Sequence, residues 1–144
     1  MELDQFNFNL PVQIRWNDLD ALGHVNNAIY VTYFEIARGH FMLEACPGWD
    51  WSKDMFLVAN VNVDFRKELL LTADDPRIMV RTSKIGTKSF VLEYAIVSKN
   101  GDDVAVYATG TTTQVMFDMK TRHTIEVPQW VRESLTAFDK LNAQ

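Results

Sequence analysis

The segment from about Asn27 to Ala45 constrains this chain more than any other. Tyr30, Tyr33, Phe34, Ala37 and Phe41 fall on one stripe at helical spacing, and Ile29, Ile36 and Leu43 widen it. Only Glu35, Arg38, His40 and Glu44 interrupt the apolar surface. A helix apolar over most of its circumference is buried on several sides, so the rest of the chain has to wrap around it. Asn26 or Asn27 can cap its start, and Pro47-Gly48 ends it.

The flanking segments have the period of strands. Leu10, Val12, Ile14 and Trp16 alternate with polar residues before the helix. After it, Leu57, Ala59, Val61, Val63 and Phe65 point one way, with Asn60, Asn62, Asp64 and Arg66 pointing the other. Ala73-Asp74-Asp75-Pro76 reads as a turn leading to a strand of about 77–85, broken at Gly86. Phe90, Leu92, Tyr94 and Ile96 alternate in the next strand, Asn100-Gly101 signals a hairpin, and a last long strand runs from Val104 to about Phe117. Pro128 suits the first turn of a C-terminal helix over roughly 129–141. The last three connections are too short for crossovers, so the strands pair antiparallel. The expected fold is α+β: a curled antiparallel sheet of about five strands around one long buried helix, plus a short C-terminal helix, in a single domain over 1–144.

Composition narrows the functional classes. The chain has 144 residues with 47% hydrophobic and 12% aromatic content, enough for a real core. Its net charge of −5 argues against a general nucleic-acid or membrane-surface binder. The single Cys46 excludes an intrachain disulfide, and with acidic residues at the start where a signal peptide would be basic and no long apolar run after them, the chain is expected in the cytoplasm. Cys46 precedes Pro47-Gly48 and makes a poor nucleophile candidate; His24, His40 and His123 lack metal-ligand spacing.

Chemistry concentrates in Asp18–Tyr30, DLDALGHVNNAIY, where a polar turn opens into the apolar helix. The first N–H groups of a helix have no intrahelical partner and carry the positive end of its dipole. A carboxylate next to such carbonyl-polarising groups is suited to acyl transfer. Asp20 is the candidate nucleophile or base, against the simpler role of shaping the turn. His24 either orients carboxylate, water or substrate, or packs as a turn histidine. Asn26 and Asn27 are helix caps that still present free amides. Asp18 reads as a structural turn residue. Glu35 lies roughly 12 Å down the helix from the amides at about 1.5 Å per residue, and pairs instead with Arg38 at i, i+3.

The pattern D-x-D-x-x-G-x-V-x-N-x-x-Y followed by E-x-x-R resembles the hotdog-fold acyl-CoA thioesterases, specifically the 4-hydroxybenzoyl-CoA thioesterase-like family. Gly86-Thr87-Lys88-Ser89-Phe90 is similar to that family's K-S-F turn, and Val127-Pro128 to its late Val-Pro before a terminal helix. The resemblance implies hydrolysis of acyl-CoA with no cofactor. It implies Asp20 as catalytic carboxylate, the carbonyl-polarising amide at Asn27 or a neighbour, and a site at the interface of a homodimer or homotetramer. The turn after the second strand, Glu68–Asp74, lacks the proline and glycine often found in relatives.

For the phosphates of CoA the candidates are Lys84, Lys88, Ser89, Arg66 and Lys67, since Gly86–Ser89 offers amides, a hydroxyl and an ammonium in one turn. The plain alternative is a solvated hairpin. Other functional readings are an acyl carrier protein thioesterase, which the acidic charge disfavours, and a non-catalytic acyl-CoA-binding protein. A hotdog hydratase lacks support, because no D-x-x-x-x-H heads the helix.

Overall fold

The structure is a computed structural model that describes residues 2–141. Its elements are β1 (Phe8–Pro11), α1 (Asn27–Ala45), β2 (Phe56–Phe65), β3 (Asp74–Ile85), β4 (Ser89–Asn100), β5 (Asp103–Asp118), β6 (His123–Thr124) and α2 (Gln129–Phe138), with 3-10 turns at Leu3–Gln5 and Trp16–Asp18. The sheet runs β1-β3-β4-β5-β2, all antiparallel, and the two-residue β6 pairs with the end of β5. The sheet curls around α1, which is the hotdog architecture expected from the sequence.

Helix α1 begins where Asn26 accepts a hydrogen bond from the Ala28 N–H at 2.9 Å, satisfying one orphan donor of the first turn. Tyr30, Tyr33, Phe34, Ala37 and Phe41 are buried against the sheet. Tyr94 and Ile96 of β4 reach the same core. Phe34 stacks on Tyr94 with ring centroids 4.3 Å apart and planes 9° from parallel. That ring lies directly on Gly110 of β5, where an added Cβ would come within 2.5 Å of both the Phe34 ring and the Asn62 carbonyl oxygen. Gly110 is therefore the floor on which the helix rests. A buried polar chain continues beneath it: the Tyr94 hydroxyl lies 2.6 Å from Thr112 Oγ1, Thr112 bonds Gln114, and Gln114 Nε2 donates to the Phe90 carbonyl at 3.1 Å.

Several local expectations change. The first strand spans Phe8–Pro11 rather than Leu10–Trp16. Val12 N–H still reaches the Pro76 carbonyl at 2.8 Å, but the β1–β3 ladder ends at the Pro11–Arg77 pair, where the β3–β4 pairing shifts register between Asp74 and Arg77. Asp75 at φ 46° marks that bulge, so Asp74–Pro76 is a strand start, and the turn lies at Leu70–Ala73. A bulge between Val58 and Asn60 breaks the alternation of β2. It leaves Leu57 facing opposite to Val61, Val63 and Phe65, because one extra residue inverts every later side chain. Helix α2 ends at Phe138 rather than near Leu141, since Asp139 turns in to accept the Thr82 N–H at 2.7 Å.

Helix α1 is covered on one face only. Ile29 is half-buried, but Ile36 and Leu43 are 52% and 49% exposed, because a single curled sheet reaches one side of the helix. The Glu35–Arg38 pair does not form either. Arg38 donates to the Tyr94 hydroxyl at 3.3 Å and lies over the Phe56 ring, where partial burial favours a flat guanidinium.

Candidate active site

The turn before α1 is built by its own main chain. Gly23 N–H donates to the Asp20 carbonyl at 3.0 Å, and Asp20 N–H to the His24 carbonyl at 2.8 Å. Gly23 adopts φ 81°, a conformation that costs glycine nothing and a branched residue much. The Asp20 side chain then caps this loop. Its Oδ1 accepts the Leu22 N–H at 2.9 Å and the His24 N–H at 3.2 Å. Oδ2 has no protein partner among the described residues. The two oxygens of one carboxylate thus differ, one holding the turn and the other left free.

The turn is sewn to the segment after β2. Val25 N–H donates to the Leu69 carbonyl at 2.8 Å, and His24 forms an antiparallel bridge with Leu70. This docking encloses a cleft of about 220 Å³ that brings together Asp20, His24 and Asn27 with Arg66 and Glu68. Tyr30 and Phe65 wall it, packed edge to face at 4.9 Å. The backbone N–H of Asn27, a residue lining the cleft, has no protein partner among the described residues and is a free helix-start donor. Glu68, which periodicity and motif both passed over, places Oε2 3.1 Å from His24 Nε2. Its one sequence signal is an acid among basic and apolar neighbours in Arg66-Lys67-Glu68-Leu69.

Asp18 has a different role. Its buried carboxylate accepts from Arg15 N–H at 2.9 Å, from the Arg15 guanidinium at 3.0 and 3.2 Å, and from the Tyr33 hydroxyl at 2.8 Å. Burial alone would raise its pKa, but these donors together outweigh it and hold the group below the ordinary carboxylate value. A carboxyl with a depressed folded pKa stabilises the fold above its unfolded value and loses that contribution as pH falls through the folded one. Asp18→Asn is therefore expected to cost about 1–3 kcal/mol at neutral pH, the scale of weakening a buried hydrogen-bonded group. The difference from wild type should shrink below pH ~4 in denaturant titrations. The Cys46 thiol is buried and pushed up to about 12, by burial first and then by the Asp54 and Asp139 charges, which removes it as a nucleophile.

Lys84, Lys88 and Ser89 lie at the opposite end of the sheet from the cleft. Arg66 and Lys67 N–H groups bond the Tyr107 carbonyl, whereas Ser89 pairs with Val115. From Tyr107 to Val115 is about 26 Å at roughly 3.3 Å per residue. The Gly86–Lys88 turn is braced by Arg132, which donates to the Gly86 carbonyl at 2.8 Å. Within one chain only Arg66 and Lys67 of these phosphate candidates border the cleft. A cavity of about 620 Å³ lies between Leu10, Val12, Tyr33, Ile36 and Ile78, and none of the candidate residues lines it. Among the described residues no three His, Cys, Asp or Glu side chains converge as a metal site, and no helix is long and apolar enough to cross a membrane.

The chain is similar to known proteins over nearly its whole length. It is 29% identical over 132 residues to the long-chain acyl-CoA thioesterase FadM of Escherichia coli, covering 90% of this chain and 97% of that protein. A thioesterase from Thermus thermophilus, solved in complex with coenzyme A and zinc, superposes with a TM-score of 0.82 at 29% identity, over 96% of this chain and 98% of that one. A thioesterase-superfamily structure from Jannaschia sp. CCS1 gives a TM-score of 0.85 at 25% identity, over 96% and 87%. Residues 14–135, which include the whole Asp20 turn, α1 and the sheet from β2 to β5, match the thioesterase-like superfamily, and the chain belongs to that family.

Proposed function

We propose that this protein hydrolyses acyl-CoA thioesters to the free acid and CoA in the Asp20 cleft. The observation that carries the proposal is that Asp20, with its Oδ2 free, and Asn27, with its N–H free, line one cleft. An oxygen nucleophile or base and a carbonyl-polarising donor are the two groups the reaction requires. Asp20 either attacks the thioester carbonyl, forming an anhydride that water then opens, or removes a proton from the attacking water. In both routes negative charge gathers on the carbonyl oxygen, where the Asn27 N–H and the helix dipole meet it. The C–S bond then breaks. The CoA thiolate leaves without an obligatory acid, since a thiol is acidic near pH ~8.5, and takes up a proton afterwards. His24, on the same turn, orients the reacting groups.

The test is release of free thiol from short, medium, long and aromatic acyl-CoAs. Turnover of at least one class is expected. Binding of CoA thioesters with no thiol released from any would replace this reading by a non-catalytic acyl-CoA-binding protein.

The working unit proposed is a homodimer, or a tetramer built from it. Strand β2 is an unpaired edge carrying exposed Leu57, Val58, Val61 and Phe65. Antiparallel pairing of β2 with the β2 of a second copy about a two-fold covers this edge. It also sets the N-terminal end of the partner's β2 beside Phe65 and Arg66. The Gly86–Ser89 turn neighbours that end, since Met116 N–H bonds the Lys88 carbonyl and Phe117 N–H bonds the Met55 carbonyl. The partner subunit's Lys88 then lies on the cleft's side of the seam, three strand spacings or about 14 Å from this chain's β2. Light scattering at micromolar concentration should give twice or four times the chain's mass, and a fully active monomer would contradict the arrangement.

Lys88→Ala should then raise KM for acyl-CoA with kcat nearly unchanged, an effect that shrinks as salt rises. With an N-acetylcysteamine thioester, which has no phosphates, mutant and wild type should behave alike. Equal damage on both substrates would show that Lys88 does not hold CoA.

A further inference from the structure

We propose that Glu68 is a positioning residue that sets which nitrogen of His24 faces the chemistry, an inference that rests on reading the Asp20 cleft as the thioesterase site. Asp20 makes no hydrogen bond to the His24 ring. Its Oδ1 binds the His24 main-chain N–H at 3.2 Å, which fixes the backbone and leaves the imidazole to other groups. Among the described residues the one charged group within ion-pair distance of the ring is Glu68, with Nε2 to Oε2 at 3.1 Å. A carboxylate presents only lone pairs and negative charge, so at this distance it favours the tautomer with the proton on Nε2, and a neutral ring then has its lone pair on Nδ1. Glu68 thereby selects a tautomer, as carboxylates do for functional histidines elsewhere.

Both main chains are held for this. The His24–Leu70 bridge and the Val25 N–H to Leu69 carbonyl bond at 2.8 Å flank the pair, and Leu69 is fully buried. The two side chains therefore meet from anchored backbones. Glu68 itself is 71% exposed, where an ion pair adds little to stability. Its removal should register in the ring and in catalysis rather than in the melting temperature.

The experiment compares wild type, Glu68→Ala and Glu68→Gln, because glutamine keeps an acceptor for Nε2–H without the charge. Long-range proton–nitrogen NMR correlations of the His24 ring, taken at a pH where the wild-type ring is neutral, report its tautomer. Wild type and Glu68→Gln should show the Nε2–H form, and Glu68→Ala a mixture. On the acyl-CoA that wild type turns over, Glu68→Ala should lose about tenfold or more in kcat with KM little changed, the scale of removing an outer partner of a functional histidine. Glu68→Gln should regain most of that loss. An unchanged tautomer in Glu68→Ala, or a changed tautomer with unchanged kcat, would overturn the inference while leaving Asp20 chemistry standing. If wild type releases no thiol from any acyl-CoA, the reading of the cleft fails instead, and with it the catalytic role of Glu68. The tautomer then reports only whether Glu68 holds the ring.

Discussion

Asp20→Asn should leave the fold intact and reduce thioester turnover by about two orders of magnitude or more, the usual scale for losing a positioned base. The two oxygens of Asp20 separate these effects. Asparagine retains a carbonyl oxygen that can accept from the Leu22 and His24 N–H groups, so the turn survives. The position of the partnerless Oδ2 becomes an amide nitrogen, which neither attacks a carbonyl nor takes a proton from water. Asp20→Ala should lose activity equally and stability in addition, because both N–H groups then lose their acceptor. The measurements are thiol release under saturating acyl-CoA and thermal melting. Wild-type turnover in a folded Asp20→Asn protein would remove Asp20 from the mechanism.

Phe34→Ala should be among the most destabilising single changes in the chain, costing about 3–5 kcal/mol, the range for deleting a buried aromatic ring. Phe34 fills the space between α1, the Tyr94 ring and Gly110, and the close fit over Gly110 leaves nothing to collapse into the vacancy. For a domain of this size that corresponds to a Tm lower by roughly 10–15 °C. Ile36→Ala on the same helix is the control. Its side chain is 52% exposed, so within one chain the cost should stay within about 0.5 kcal/mol. Equal losses from Phe34→Ala and Ile36→Ala would mean that the exposed face of α1 is covered in the assembled protein.

What is legible along the chain depends on short range. Helix α1 and its Asn26 cap, the hairpin at Asn100-Gly101 and the alternation of β4 follow from neighbours within about one turn or one strand. The spacing of Asp20, Gly23, His24 and Asn27 likewise marks them as one constellation from the sequence alone. A family motif reaches no further than this, and it points to Lys84, Lys88 and Ser89 without indicating that they lie at the far end of the sheet.

The amino-acid sequence by itself determined that an apolar helix must be wrapped by antiparallel strands and that a carboxylate must sit on the turn entering it. Capping, backbone preference and hydrophobic period are properties of adjacent residues, so they can be read along the chain. Only the tertiary structure decided that β1 stops at Pro11, that a bulge at Ala59 inverts half of β2, and that Arg38 meets Tyr94 and Phe56 rather than Glu35. It also decided that Glu68 lies against His24, and that Asp20 gives one oxygen to the turn and leaves the other free. These are consequences of strand register and of loops docking across the sheet. A single inserted residue in a strand exchanges its two faces, and no local pattern carries that information.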